Sequence, residues 1–139
     1  MRAIGHPLHA GEASGAALKL DEPLSFWGGL DPETGRVIDE SHPQLGSTLT
    51  GRIVVMPGSR GSSGTPGTLA ESLRRETGPA GLIVSKPDIN IMAGAAVAER
   101  LYGRSCPVVL LDSEDIAVIV DSGFVGIEAD GTVVHSEIL

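Results

Sequence analysis

Cysteine is almost absent from this chain: Cys106 is the only one in 139 residues. An internal disulfide is therefore excluded. An iron–sulfur cluster held by this chain alone is not expected either, because such clusters draw on several thiolates. Cys106 precedes Pro107 and a Val-Val-Leu-Leu run, so it reads as a small buried hydrophobe. Aromatics are scarce too. Phe26, Trp27, Tyr102 and Phe124 are the full set, which leaves a core of Val, Ile, Leu and Ala. Positive charge is short as well, with Lys+Arg 10 against Asp+Glu 18, a net charge of −8 and no basic cluster. That balance argues against nucleic acid, whose phosphates call for a positive surface. A small anion can still be held locally by one arginine and backbone amides. No apolar run approaches the roughly 20 residues that span a bilayer. Met1 to Pro7 carries no hydrophobic signal segment, so a cytoplasmic chain with no membrane partner is expected.

What is present is backbone punctuation. Nineteen glycines and nine prolines imply many turns and short elements, in a chain that is 41% hydrophobic. Its length suits one domain, residues 1–139, closing one core. The N-terminal third reads as short extended pieces, with candidate strands at 16–20 and 24–27 and a turn over Asp31-Pro32-Glu33-Thr34-Gly35-Arg36. From residue 50 the pattern changes to strand and helix in alternation. A strand at 52–56 precedes a helix at 68–77, in which Leu69, Leu73 and the stem of Arg74 form an inner face, stopped by Gly78-Pro79. A buried strand at 81–85, a helix from Met92 to Leu101 ended by Gly103, a strand at 108–111 and a short helix at 114–120 follow. Residues 124–128 and 132–135 read as a hairpin around Asp130-Gly131. The alternation suggests a largely parallel sheet, with the β-rich N-terminal part packed beside it or closing it. A mixed β/β/α, barrel-like α/β single domain is the expected fold.

The segment with most chemistry is Gly58-Ser59-Arg60-Gly61-Ser62-Ser63-Gly64-Thr65-Pro66-Gly67. Glycine at every third position lets the backbone turn sharply and approach a ligand closely. Serine and threonine hydroxyls and one guanidinium lie between. A strand–glycine loop–helix junction aims backbone N–H groups at its occupant, which favours an anion. The segment is neither the G-x-G-x-x-G fingerprint nor a G-K-[ST] phosphate loop, and Ser62 does not sit in a G-x-S-x-G elbow. A flexible surface loop is the plain alternative. Arg60 beside hydroxyls and amides argues against it, because that set holds a carboxylate or phosphate well.

Other candidates carry less. His6, His9, His42 and His135 lack metal-ligand spacing, and ordinary polar or capping roles are expected for them, with no metal. Lys86 closes the predicted strand at 81–85, at the edge where α/β sheets place ligands, and can share a cavity with the loop. A solvated lysine in a turn explains it equally well. Asp112 to Asp115 read as a structural helix cap with acidic first-turn residues. Phe26-Trp27-Gly28-Gly29 reads either as a core strand end or as a contact surface.

The pairing of Leu24-Ser25-Phe26-Trp27-Gly28-Gly29-Leu30-Asp31-Pro32-Glu33-Thr34-Gly35 with Arg60-Gly61-Ser62-Ser63-Gly64 resembles the small, swivelling domain of the aconitase X family. The resemblance covers nearly the whole chain, including Gly81 to Lys86. It implies a swivelling β/β/α domain acting as the small subunit of a heteromeric hydro-lyase, closing over an active site on a large catalytic subunit. That large subunit, not this chain, would hold an iron–sulfur cluster. The family dehydrates hydroxy acids: cis-3-hydroxy-L-proline, mainly in bacteria, or mevalonate 5-phosphate in archaea. Its catalytic serine falls on Ser62, which by resemblance removes the substrate's α-proton while the cluster iron takes the hydroxyl as a Lewis acid. A serine is a poor base unless its alkoxide is stabilised, and Arg60 with the amides of Gly61, Ser63 and Gly64 could do so. Arg60, Ser63 and Lys86 would hold the anionic substrate. Archaeal relatives often carry glycine where Ser59 stands, and Phe-Trp-Gly-Gly looks more like the bacterial members, which favours hydroxyproline. Two other readings stay open: a free-standing anion-binding module and an independent serine hydrolase.

Overall fold

The computed structural model describes residues 1–61 and 63–137. Three short apolar runs build its centre. Ile53–Met56 (β6) and Gly81–Val84 (β7) are buried at every position, and Val108–Leu110 (β8) nearly so. Runs this apolar and β-branched suit strands covered on both faces, which is where parallel strands sit. β6, β7 and β8 pair parallel, in register Ile53–Gly81 and Leu82–Val108. Ala13–Lys19 (β3) extends the sheet, parallel to β6 on one side and antiparallel to Phe124–Ile127 (β9) on the other. β9 forms the expected hairpin with Thr132–Ser136 (β10). Arg2–Ile4 (β1) pairs with β10, and His6–His9 (β2) with β8, so β1 and β2 are the two edges of an eight-stranded sheet.

Alternation along these strands divides the interior in two. Val54, Met56, Leu82, Val84 and Val108 face one core with Leu69 and Leu73 of α2 (Thr65–Arg74) and with Ile91 and Ala95 of α3 (Ile89–Tyr102). Ile53, Val55, Ile83 and Val109 face the other, together with Val125, Val133 and Ala3. Because that second core joins residues from both ends of the strand order, the sheet must curl on itself. The edges meet covalently: Gly5 alone separates β1 from β2. Its N–H donates to Gly131 O at 3.1 Å, and a Cβ there would run into Val109 Cγ1 and the Gly131 carbonyl. The domain is therefore barrel-like in curvature, while no ladder among the described residues pairs β1 with β2 and closes a barrel. Pro7 is tolerated in β2 because an edge strand need not donate on its outer side.

Elsewhere the structure corrects several local expectations. Residues 24–27 are no strand. Phe26–Gly29 (α1) is a single turn, broken by Trp27 in extended geometry and Gly28 at φ 80°. Phe26 is buried and Trp27 is 65% exposed, so core and surface roles divide within one dipeptide. Both main helices begin three residues before the expected start. Arg74 leaves the inner face of α2 and pairs with Glu71 at 2.7 Å. Leu30–Asp31 (β4) and Arg36–Val37 (β5) form a small hairpin around the expected turn, and Ser113–Val118 (α4) follows β8. Asp112 stands at the N-cap of α4, yet its side chain makes no capping bond. Two histidines act as backbone clamps. His42 Nδ1 accepts from Gln44 N–H, so Nε2–H donates to Glu22 O at 3.1 Å. His135 Nε2 accepts from Val120 N–H, so Nδ1–H donates to Phe124 O at 2.8 Å.

Candidate functional site

The C-terminal ends of β6 and β7 deliver their following loops to the same side of the sheet. The glycine-rich loop leaves β6 at Pro57, and Lys86 leaves β7. Lys86 N–H donates to Pro57 O at 3.2 Å, which ties the two loops at their roots. The loop is then pinned again. Ser59 N–H and Oγ–H donate to Asp88 Oδ2 at 2.7 and 2.6 Å, and Arg60 N–H donates to Leu24 O at 3.0 Å. A cleft of about 220 Å³ opens between these pieces, lined by Pro23, Pro57, Ser59, Lys86 and Asp88 among others. The larger groove, about 760 Å³, lies along α3 beside His9 and contains none of the loop residues.

Of the residues singled out by the sequence, Lys86 lines this cleft beside Gly58 and Ser59, whereas Arg60, Gly61, Ser63 and Gly64 are not among its lining residues. Arg60 is exposed and its guanidinium lies 3.4 Å from Glu22 Oε1. Long and solvent-exposed, that ion pair is weak and exchangeable. Gly61 and Ser63 are exposed, ahead of the buried first residue of α2, Thr65. Gly64 is the N-cap residue of α2 and lies against Trp27: a Cβ on it would stand 2.8 Å from Trp27 Cβ and closer still to the ring. Ser62 lies outside the described residues. Thr65 Oγ1 is buried and has no partner among the described residues.

Glu22 and Asp39 lie near Arg60, and Asp88 lines the cleft with Lys86. Asp39 is held below the usual carboxylate range, chiefly by the hydroxyl and amide of Ser41, with a lesser pull from the Arg60 charge. Asp88 and Glu22 are the residues that reading along the sequence underrated. Asp88 had a signal, an Asp just ahead of an apolar helical stretch, which marks an N-cap. Its second contact, across the fold to Ser59, had none.

The chain's own residues do not suit an iron–sulfur cluster. Its single thiol, Cys106, is 0% exposed, and burial pushes it up to about 12, so thiolate is not on offer. No group of three metal-ligating side chains occurs among the described residues. Among the same residues, no helix is long and apolar enough to cross a membrane.

Against known proteins, residues 2–135 match the family described as the aconitase X swivel domain. The chain is 41% identical over 123 residues to a cis-3-hydroxy-L-proline dehydratase of Hypocrea jecorina, a match that takes in 88% of this chain and 20% of that protein. It is 37% identical over 121 residues to the phosphomevalonate dehydratase small subunit of Methanothermobacter thermautotrophicus, covering 86% of this chain and 88% of that subunit. The chain thus spans about a fifth of the dehydratase and most of the small subunit. Its fold is similar to a chain in the crystal structure of Thermococcus kodakaraensis aconitase X in the holo form, at TM-score 0.86 and 28% identity, with 99% of each chain covered.

Proposed function

Because this chain belongs to the aconitase X swivel-domain family, we propose that it is the small subunit of a heteromeric hydro-lyase dehydrating a hydroxy acid, active only with a large catalytic partner. The observation that carries this reading is the double match, to a small subunit over 88% of its length and to 20% of a larger dehydratase. A cytoplasmic location goes with it. The iron–sulfur cluster of such an enzyme belongs, in this reading, to the partner, since the thiol chemistry of this chain is unsuited to one.

Ser62 is the proton acceptor in this proposal. It lies in sequence between Gly61 and Ser63, two exposed residues just ahead of the start of α2. A serine alkoxide needs donors and positive charge close by, and the amides of Gly61, Ser63 and Gly64 with the Arg60 guanidinium are the groups at hand. Arg60, Ser63 and Lys86 hold the substrate carboxylate. An incoming carboxylate exchanges with Glu22 for Arg60, which costs little at an exposed 3.4 Å pair.

Cis-3-hydroxy-L-proline is the favoured substrate. Glu22 and Asp39 act on Arg60, and Asp88 shares the Lys86 cleft. A zwitterion is accommodated by mixed charges of this kind, whereas a phosphorylated hydroxy acid brings two further negative charges against them. The second reading, a phosphomevalonate dehydratase small subunit, is favoured by matches to several such subunits over most of their length.

The test is an anaerobic dehydration assay with the large subunit and an assembled cluster, offering cis-3-hydroxy-L-proline and mevalonate 5-phosphate separately. Turnover of the hydroxyproline only when both chains are present is expected. Turnover of mevalonate 5-phosphate instead would support the second reading, and no turnover of either would point to another hydroxy acid or to an anion-binding module.

A further inference from the structure

Asp88 does more than start a helix. Its Oδ1 accepts the N–H groups of Asn90 and Ile91, both at 3.1 Å, as an N-cap should. Its Oδ2 accepts the N–H and hydroxyl of Ser59 at 2.7 and 2.6 Å. Charge-assisted bonds of that length are the strong kind. One carboxylate thus joins the first turn of α3 to the loop leaving β6. Ser59 also bridges Leu24, and the next N–H, that of Arg60, donates to Leu24 O. The near half of the loop is therefore fixed on two sides, immediately before Arg60, Gly61, Ser62 and Ser63.

We propose that Asp88 is a positioning residue for the glycine loop: by latching Ser59 it fixes the course of the chain up to Gly61, after which Ser62 follows in sequence. This rests on the reading of Ser62 as proton acceptor. Capping alone needs only one of the two oxygens. The second is spent on a residue brought near by the fold alone, and its two partners there are both donors. Only a carboxylate offers acceptors on both sides. Asparagine is as good a helix cap as aspartate. With its oxygen turned to α3, however, it presents an NH₂ to the Ser59 N–H. Asp88→Asn therefore separates the latch from the cap.

In the assembled two-subunit enzyme with cis-3-hydroxy-L-proline, Asp88→Asn is expected to lower kcat at least tenfold. The loss should fall mainly on kcat rather than on KM, and should exceed what any fall in melting temperature accounts for. Amide hydrogen exchange at residues 59–61 should rise while that of α3 does not. Ser59→Ala, which keeps the amide contact and loses the hydroxyl, should lower kcat less, and should add nothing in the Asp88→Asn background. An unchanged kcat in Asp88→Asn, with Ser62→Ala inactive, overturns the latch. So does a kcat loss that Ser59→Ala does not share and that tracks the melting temperature, because Asp88 is then a cap only. Should Ser62→Ala keep its activity, the catalytic reading fails instead, and the exchange rates at 59–61 still decide whether the latch exists. Ser59→Ala serves the same purpose if Asp88→Asn does not fold.

Discussion

α2 and α3 lie side by side on one face of the sheet, close enough that a Cβ on Gly94 would meet Leu69 Cδ2 and Pro66 O at 3.0 Å. Their first turns are built in opposite ways. α3 begins on Asp88, whose carboxylate accepts two of its leading amides. α2 begins on Gly64, which has no side chain to offer, comes after the exposed Gly61 and Ser63 and places Pro66 in its first turn. The leading end of any helix carries unmatched N–H groups and partial positive charge. In α3 the chain satisfies that end itself. At the start of α2 the N-cap residue Gly64 has no side chain with which to cap, and Trp27 packs along it with most of its surface in solvent. The difference is between a helix capped by its own side chain and one that starts on a glycine packed under an aromatic. The capped helix also serves the other: Asp88 satisfies α3 with one oxygen and steadies the loop entering α2 with the second.

The largest effect on this contrast is expected from Gly64→Ala. Gly64 has φ −82°, which alanine adopts without strain, so the cost falls on contact with Trp27. Alanine is also a poor N-cap. Together these should destabilise the domain by about 1–3 kcal/mol, the range of small-to-large overpacking. Calorimetry reads the loss, and the emission of Trp27, the only tryptophan in the chain, reads its displacement. An unshifted emission would mean that the indole does not rest on this turn.

A smaller effect sits at the far end of α2, where ligand chemistry plays no part. Glu71 pairs with Arg74 and Arg75, and their hydrogen bonds lower its carboxyl to about 2. A depressed carboxyl stabilises above its unfolded value of 4.5 and loses that contribution as pH falls towards 2. Glu71→Gln should therefore lower the melting temperature slightly at pH 7 and not at all near pH 2. Because the groups are exposed, salt should shrink the difference as well. A gap that persisted at low pH would refute the ion-pair account.

Much of this arrangement can be read from the chain itself. The apolar runs at 53–56, 81–84 and 108–110 announce buried parallel strands, and Asp130-Gly131 announces the last hairpin. Gly103 ends α3 in the left-handed conformation at φ 66°, as glycine there should. The edge strands β1 and β2 escape such reading because they are three and four residues long, split by Gly5, and contain a proline. Their pairing is decided by strands at the other end of the sequence. The early start of α2 is hidden because Pro66 and Gly67 look like loop residues, although proline suits a first turn. At the site, loop and Lys86 are legible as two ends of adjacent parallel strands. Trp27 over Gly64 and Asp88 under Ser59 are not, since nothing local in either segment requires the other.

In the proposed two-subunit dehydratase the glycine loop carries the proton acceptor. The most direct measurement is single-turnover loss of the substrate α-proton by Ser62→Ala in the assembled complex, followed by the release of a deuterium label from cis-3-hydroxy-L-proline. A fall of at least a thousandfold in label release, with substrate binding kept, is the predicted result. Label release within a few fold of wild type would contradict the account, and the proton would then have to go to another group.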